Sequence, residues 1–164
     1  MNIPLKSSTV PIADISVVAA NYNNELFLKD FFDSILHSTM KPKEVIFVDD
    51  GSTDNSLVTA RSYEAIISGL KIIALPKNQG FGNALNIGIN HATGNFIMRV
   101  DPDDYIHPER IIKQYNAIIT DKLDVVGTNA HIFHSNTKKI LGTTNFPKTH
   151  NEIENKIMLG EHGV

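Results

Sequence analysis

Residues 44–54 read Glu-Val-Ile-Phe-Val-Asp-Asp-Gly-Ser-Thr-Asp. Val45 to Val48 is a short apolar run rich in β-branched residues, the composition of a strand buried on both faces. It breaks at Asp49-Asp50-Gly51-Ser52, four residues suited to a turn. Ser52, Thr53 or Asp54 then caps a helix that runs to about Ser68 and is closed by Gly69. Asp54 is read as such a cap and not as a ligand. Strand, acidic exit and capped helix make one half of a βαβ unit, so the flanking sequence has to supply more of the same.

It does so on both sides. Upstream, residues 15–20 form an apolar strand. From Glu25 the period changes, and Leu28, Phe31, Phe32, Ile35 and Leu36 line one face of a helix that ends before Pro42. Downstream, residues 70–75 read as a third strand and 82–92 as a helix with Leu85, Ile89 and Ala92 on one side. A fourth strand follows at 95–100. Pro108 opens another helix, whose apolar face is Ile111, Ile112, Tyr115, Ile118 and Ile119. A fifth strand is expected at 124–133, then a polar loop, then a short helix at 151–159. The alternation predicts an α/β fold with a mainly parallel sheet. Residues 1–13 are expected to be a tail and 14–164 a single domain.

Composition narrows the functions. The chain has 164 residues, 41% apolar and 20% charged, with a formal net charge of −3. No basic field argues for nucleic acid. There is no cysteine, which excludes disulfides, zinc–thiolate sites and thiol nucleophiles and suits a reducing compartment. The seven histidines show no zinc-binding spacing. No apolar run approaches the ~20 residues of a membrane span. The glycines at 80 and 82 do not build a phosphate loop, and there is no G-x-S-x-G elbow.

In parallel sheets ligands bind beyond the carboxyl ends of the strands. The four exits here are Asn21-Tyr22-Asn23-Asn24, Asp49-Asp50-Gly51-Ser52, Lys77-Asn78-Gln79-Gly80 and Asp101-Pro102-Asp103-Asp104. Five carboxylates would face one end of the sheet, where they repel one another. A divalent cation, Mn²⁺ or Mg²⁺, is the simplest compensation for such hard oxygen ligands. The triplet Asp101-Pro102-Asp103 acquires weight from its position opposite Asp49-Asp50.

With these segments the chain resembles the family 2 glycosyltransferases, which have the GT-A fold. The resemblance is carried by ISVVAANYNNELFLKDFFDSIL, EVIFVDDGSTDNS and NQGFGNALNIGINHATGNFIMRVDPDDYIHPERI, more loosely by LDVVGTN, from about Ile15 to Asn129. It implies a Rossmann-like sheet with helices on both faces. It implies a nucleotide-sugar donor, most often a UDP-sugar, and a glycan or lipid-linked acceptor. Tyr22 would lie against the nucleobase, Asp50 would hydrogen-bond it, and Asp49 would support the loop. Lys77 and Asn78 would line the nucleotide pocket, and Asp101 and Asp103 would be the D-x-D metal pair, with Asp101 also at the donor. The resemblance further implies inversion at the anomeric carbon, polysaccharide biosynthesis and a cytoplasmic or peripheral place at the inner membrane face; self-association is expected because missing residues would leave an apolar sheet face or edge uncovered. Ala20-Asn21 stands where many members have Pro-Thr. The family's catalytic base is expected beyond Val164, with Glu161 the nearest candidate in the chain, so a donor-binding but non-catalytic fragment is one expectation.

Two other readings share the acidic exits. A receiver-like signalling module with Mg²⁺ would need an aspartate at the third exit, where Pro76-Lys77-Asn78 has none. A sugar-phosphate nucleotidyltransferase would need a glycine-rich loop after the first strand, and Asn21-Tyr22-Asn23-Asn24 contains no glycine.

Overall fold

The computed structural model describes residues 10–158. Most of the expected tail, Leu159, Glu161 and His162 lie outside them. The chain divides between Lys122 and Leu123 into two compact units.

The first unit is built on four parallel strands: β1 (Ile12–Asn21), β2 (Lys41–Asp49), β3 (Leu70–Ala74) and β4 (Phe96–Arg99). Their spatial order is β3-β2-β1-β4, and β1 pairs in parallel with both β2 and β4. Four helices connect or follow them: α1 (Glu25–Leu36), α2 (Ser56–Ser62), α3 (Phe81–Asn90) and α4 (Arg110–Asp121). The period-2 alternation of strands sorts the side chains into two cores. Val17, Ala19, Val45 and Phe47 join Leu28, Phe31, Phe32 and Ile35 of α1, together with Tyr63 and Ile111. Val18, Ala20, Ile46 and Val48 face the other way, onto Ala84 of α3. Helices therefore cover both faces, which is why β1 and β2 read as near-continuous apolar runs. Phe32 packs edge-on to Phe31 at 4.9 Å between centroids and stacks on Tyr63 at 4.7 Å.

The helix positions depart from the apolar periodicity in three places; one is α4, which starts at Arg110 and buries Gln114 with Ile111 while Ile119 is exposed. The second helix ends at Ser62, and residues 63–69 continue as turns with short-range bonds such as Ile66 N–H to Tyr63 O. These tighter turns carry Tyr63 and Ile67 into the core. Gly69, at φ +77°, still marks the end of that segment. In α3 the seat on the sheet is Ala84 and Gly88, and Ile89 is exposed. A Cβ at Gly88 would lie 2.5 Å from Val18 Cγ1, so close approach of the helix, not bulk, decides its buried face.

The second unit holds β5 (His131–Phe133), β6 (Ile140–Thr143) and α5 (His150–Met158). The expected long fifth strand is replaced by an antiparallel hairpin, and only residues 131–133 of the expected 124–133 are strand. The segment read as a polar loop makes the turn, with Lys138 in the left-handed region at φ +54°, and then the returning strand. Thr149 and Glu152 exchange hydrogen bonds, Glu152 N–H to Thr149 Oγ1 at 3.3 Å and Thr149 N–H to Glu152 Oε2 at 3.1 Å. This capping box starts α5. No helix among the described residues is long and apolar enough to cross a membrane.

Near the start of β2, away from the strand exits, Glu44 is buried. Its carboxylate accepts hydrogen bonds from Ser16 Oγ at 2.6 Å, Thr93 N–H at 2.6 Å, Thr93 Oγ1 at 2.8 Å and Lys71 Nζ at 2.6 Å. Burial alone would push this carboxyl up. The Lys71 ammonium, the Ser16 hydroxyl and the Thr93 donors outweigh it and hold the group at about 2, against an ordinary 4.5. A carboxyl depressed in the folded state stabilises the protein above its unfolded pKa, and that stabilisation is lost as pH falls toward the folded one. The shift corresponds to roughly 3 kcal/mol. Urea unfolding between pH 6 and pH 2 should therefore show stability falling below about pH 4.5, and Glu44→Gln should be less stable at pH 6 with a flatter acid limb.

Candidate active site

The strand order places a topological switch between β1 and β4, because the chain leaves β1 toward β2 on one side and returns to β4 on the other. Such a switch opens a crevice at the carboxyl ends of the strands. The residues singled out from the sequence sit around that crevice on the exits of β1, β2, β3 and β4.

The exits of β1 and β2 are bonded to each other. Asn21 is buried at the end of β1, and its Nδ2 donates to Asp49 Oδ1 at 2.9 Å and to Ser52 Oγ at 3.2 Å. Asp49, also buried, accepts in addition from the Ser52 N–H at 3.1 Å and the Ser52 hydroxyl at 2.6 Å. Asn23 takes the left-handed conformation at φ +55°, which asparagine tolerates better than most residues. From there its Oδ1 accepts the Thr53 N–H at 2.8 Å and its own N–H donates to Ser52 Oγ at 3.0 Å. Asp54 accepts from the N–H of Glu25 at 3.0 Å and of Ser56 at 2.9 Å, the first residues of α1 and α2. Burial raises the Asp54 carboxyl, but the bonds from Ser56 and Glu25 outweigh it and hold the group below its ordinary value. Asp54 thus serves the first turns of both helices, from one position before Asn55, which is the N-cap residue of α2. Tyr22 stands half-exposed on this braced rim.

Asp50 fastens the third exit. Its side chain is 2% exposed, and its two oxygens accept the N–H groups of Gln79 at 2.7 Å and Gly80 at 2.9 Å. Gly51, at φ +70°, lies so close to the same loop that a Cβ would stand 2.5 Å from the Lys77 carbonyl carbon. Any side chain there would clash with backbone. Lys77 and Asn78 are exposed on the loop that this clasp holds.

The fourth exit is the acidic one. A turn closed by Asp104 N–H to Asp101 O at 3.0 Å carries Asp101, Asp103 and Asp104, with Pro102 buried beneath. Arg99 at the end of β4 donates to Asp101 Oδ1 through Nε at 3.1 Å and Nη2 at 2.7 Å, and its guanidinium lies 5.1 Å above the Phe81 ring. Asp104 keeps exposed surface while its carboxyl is partly shielded. That shielding raises it above its ordinary value, and the charges of Asp103 and Asp101 raise it further. Burial lowers the Arg110 guanidinium, against the pull of Asp104 and Asp101.

The five carboxylates therefore do not form one cluster. β1 lies between β2 and β4, so their exits are roughly 10 Å apart at ordinary strand spacing. Asp49 and Asp50 accept hydrogen bonds from Asn21, Ser52, Gln79 and Gly80. Among the described residues no group of three or more His, Cys, Asp or Glu is gathered as a metal cage would require. Asp101 and Asp103 are left as the pair with oxygen-ligand chemistry, and Asp101 carries Arg99 as its counter-ion. The bracing roles of Asn21, Ser52 and Gly51 and the position of Arg99 were missed in the sequence. Only Arg99 left a signal, standing two residues before Asp101.

Residues 16–163 match the family described as Glycosyl transferase family 2, and the chain belongs to that family. Its parallel sheet and flanking helices are those of GT-A glycosyltransferases. It is 35% identical over 148 residues to the glycosyltransferase alr2836 of Nostoc sp., covering 88% of this chain and 45% of that protein. It is 29% identical over 143 residues to glycosyltransferase GlyA of Streptococcus pneumoniae, covering 85% of this chain and 20% of that one. The solved structure of S. aureus TarS 1-349 in complex with UDP superposes with a TM-score of 0.61 at 26% identity, over 73% of this chain and 39% of that chain. The chain spans less than half the length of each.

The clasp on the 77–80 loop can be measured directly. Asp50→Asn places an amide nitrogen against a backbone donor and removes one of the two bonds that hold the loop, a cost of about 1–3 kcal/mol. Hydrogen exchange at the Gln79 and Gly80 amides should quicken by about tenfold or more, with the β1 and β2 amides unchanged.

Proposed function

We propose that this chain is the donor-binding part of a divalent-metal-dependent glycosyltransferase that uses a UDP-sugar. The observation that carries the proposal is the D-x-D pair, Asp101 and Asp103, at the exit of β4 on the switch-point crevice, within a chain of this family. The likeness to TarS with UDP supports the choice of nucleotide.

The donor set fits the cation. Mg²⁺ and Mn²⁺ sites that handle nucleotides use one or two carboxylates and complete their shell with substrate phosphates and water. Two aspartates without a third protein ligand are what such a shared site requires. Bound there, the cation supplies Lewis-acid stabilisation to the departing diphosphate. The chain's own residues do the rest of the binding. Asp101 and Asp103 hold the cation. Tyr22 offers its ring to the nucleobase from the braced rim. Lys77 and Asn78 stand on the loop beside it, the lysine as a cation for the donor's negative charge. Asp50 contributes by fixing that loop. Transfer is by inversion, to a glycan or lipid-linked acceptor in polysaccharide synthesis.

Calorimetric titration of UDP with and without Mn²⁺ tests this reading. Wild-type chain should bind UDP more tightly with Mn²⁺, and Asp103→Ala should abolish the Mn²⁺ dependence while its circular dichroism stays that of the wild type. Retained Mn²⁺ dependence in that variant would place the metal elsewhere. Tyr22→Ala should weaken UDP binding by about five- to a hundredfold, the range of base–aromatic stacking, with no change in response to Mn²⁺.

A further inference from the structure

Arg99 has no role in the reading above, and its surroundings single it out. Three hydrogen bonds and one ring contact fix it. Its Nε and Nη2 engage one oxygen of Asp101 at 3.1 and 2.7 Å, Nη2 also reaches the other, and its plane lies over Phe81. The partners belong to different exits. Asp101 begins the acidic turn, whereas Phe81 opens α3 directly after Gly80, whose N–H is held by Asp50. The guanidinium thus bridges the loop beside the donor's nucleotide end and the carboxylate assigned to the cation.

We propose that Arg99 is an exchangeable counter-ion: it neutralises Asp101 while no divalent cation is bound, and it turns to the donor's diphosphate once the cation takes its place. This inference rests on the proposed cation site at Asp101. A carboxylate cannot hold a bidentate arginine and a metal ion in the same lone pairs, so one must leave. Leaving is cheap here. The Arg99 side chain is 54% and the Asp101 side chain 34% exposed, and ion pairs in such settings contribute little net stability. Arginine stays charged after release, and its planar fork suits phosphate oxygens as well as carboxylate. The Phe81 ring keeps the freed group over the crevice rather than in bulk solvent. Phosphate oxygens that enter with the cation bring the negative charge that the guanidinium has just lost.

The exchange makes two opposite demands on one substitution. With Mn²⁺ alone, Arg99→Gln removes a competitor and should bind the ion about two- to fivefold more tightly, the worth of an exposed ion pair. With Mn²⁺ saturating, the same variant should bind UDP about tenfold or more weakly, the worth of a charge-assisted hydrogen bond. Arg99→Lys, which keeps the charge, should lie between wild type and Arg99→Gln in the second measurement. Electron paramagnetic resonance of free Mn²⁺ reads the first affinity and calorimetry the second, with Asp101→Ala as the control for the site itself. A role in folding alone would move both affinities in the same direction or neither, and either result overturns the exchange. If Arg99→Gln and wild type bind Mn²⁺ equally while Asp101→Ala binds it poorly, Arg99 is dismissed and the cation site stands. If Asp101→Ala binds Mn²⁺ as wild type does, the cation site falls and this inference falls with it.

Discussion

The buried carboxylate of Asp50, accepting two backbone N–H groups across the gap between β2 and β3, is the constraint around which the crevice is arranged. Loops at strand ends have little apolar surface with which to hold themselves in place. A desolvated carboxylate with both oxygens bonded does that work, because losing either bond strands a buried charge. Gly51 sets the distance, since the approach of the 77–78 backbone leaves no volume for a Cβ. Phe81 then starts α3 at a fixed point, and the position of the Arg99 guanidinium follows from it.

The two ends of the sheet use carboxylates differently. Glu44 is satisfied by an ammonium, two hydroxyls and one N–H, and its surroundings are finished. Asp101 and Asp103 are left partly open, and the guanidinium paired with Asp101 is itself half exposed. Charge that is fully answered from within the fold serves stability. Charge answered by a partner that can leave is available to a ligand.

The parallel sheet and the helices on both faces were legible because β1, β2 and α1 obey simple periods, and Leu28, Phe31, Phe32 and Ile35 occupy the predicted face. The pattern failed where small residues or pairing decide the outcome. Ala84 and Gly88 seat α3, yet apolar bulk points to Ile89. Residues 124–130 are apolar enough to suggest a strand, but a strand also needs a ladder, and the first backbone bond to the returning strand is Thr144 N–H to Ala130 O, at the last of them. At the site, residue types and exits were readable, but which carboxylates meet was not. Counting aspartates at one end of the sheet suggested a single charge cluster. The intervening β1, and the donors from Asn21, Ser52, Gln79 and Gly80, are facts of three dimensions that spacing along the chain does not carry.

The strand order also bears on how the molecule assembles. β1 meets β2 by joining residues such as Ser16 and Glu44, a loop of 28 residues, and meets β4 by joining residues such as Asn95 and Asp14, a loop of 81. The longer closure costs about 1 kcal/mol more in chain entropy, and it docks β4 as an outer strand against a β1 already framed by β2. The rim at Tyr22 and Asp49 rests on the β1–β2 pair, whereas the acidic turn at Asp101 hangs on an outer strand paired with β1 alone, so loss of the β1–β4 pairing would release that turn and leave the rest of the sheet in register.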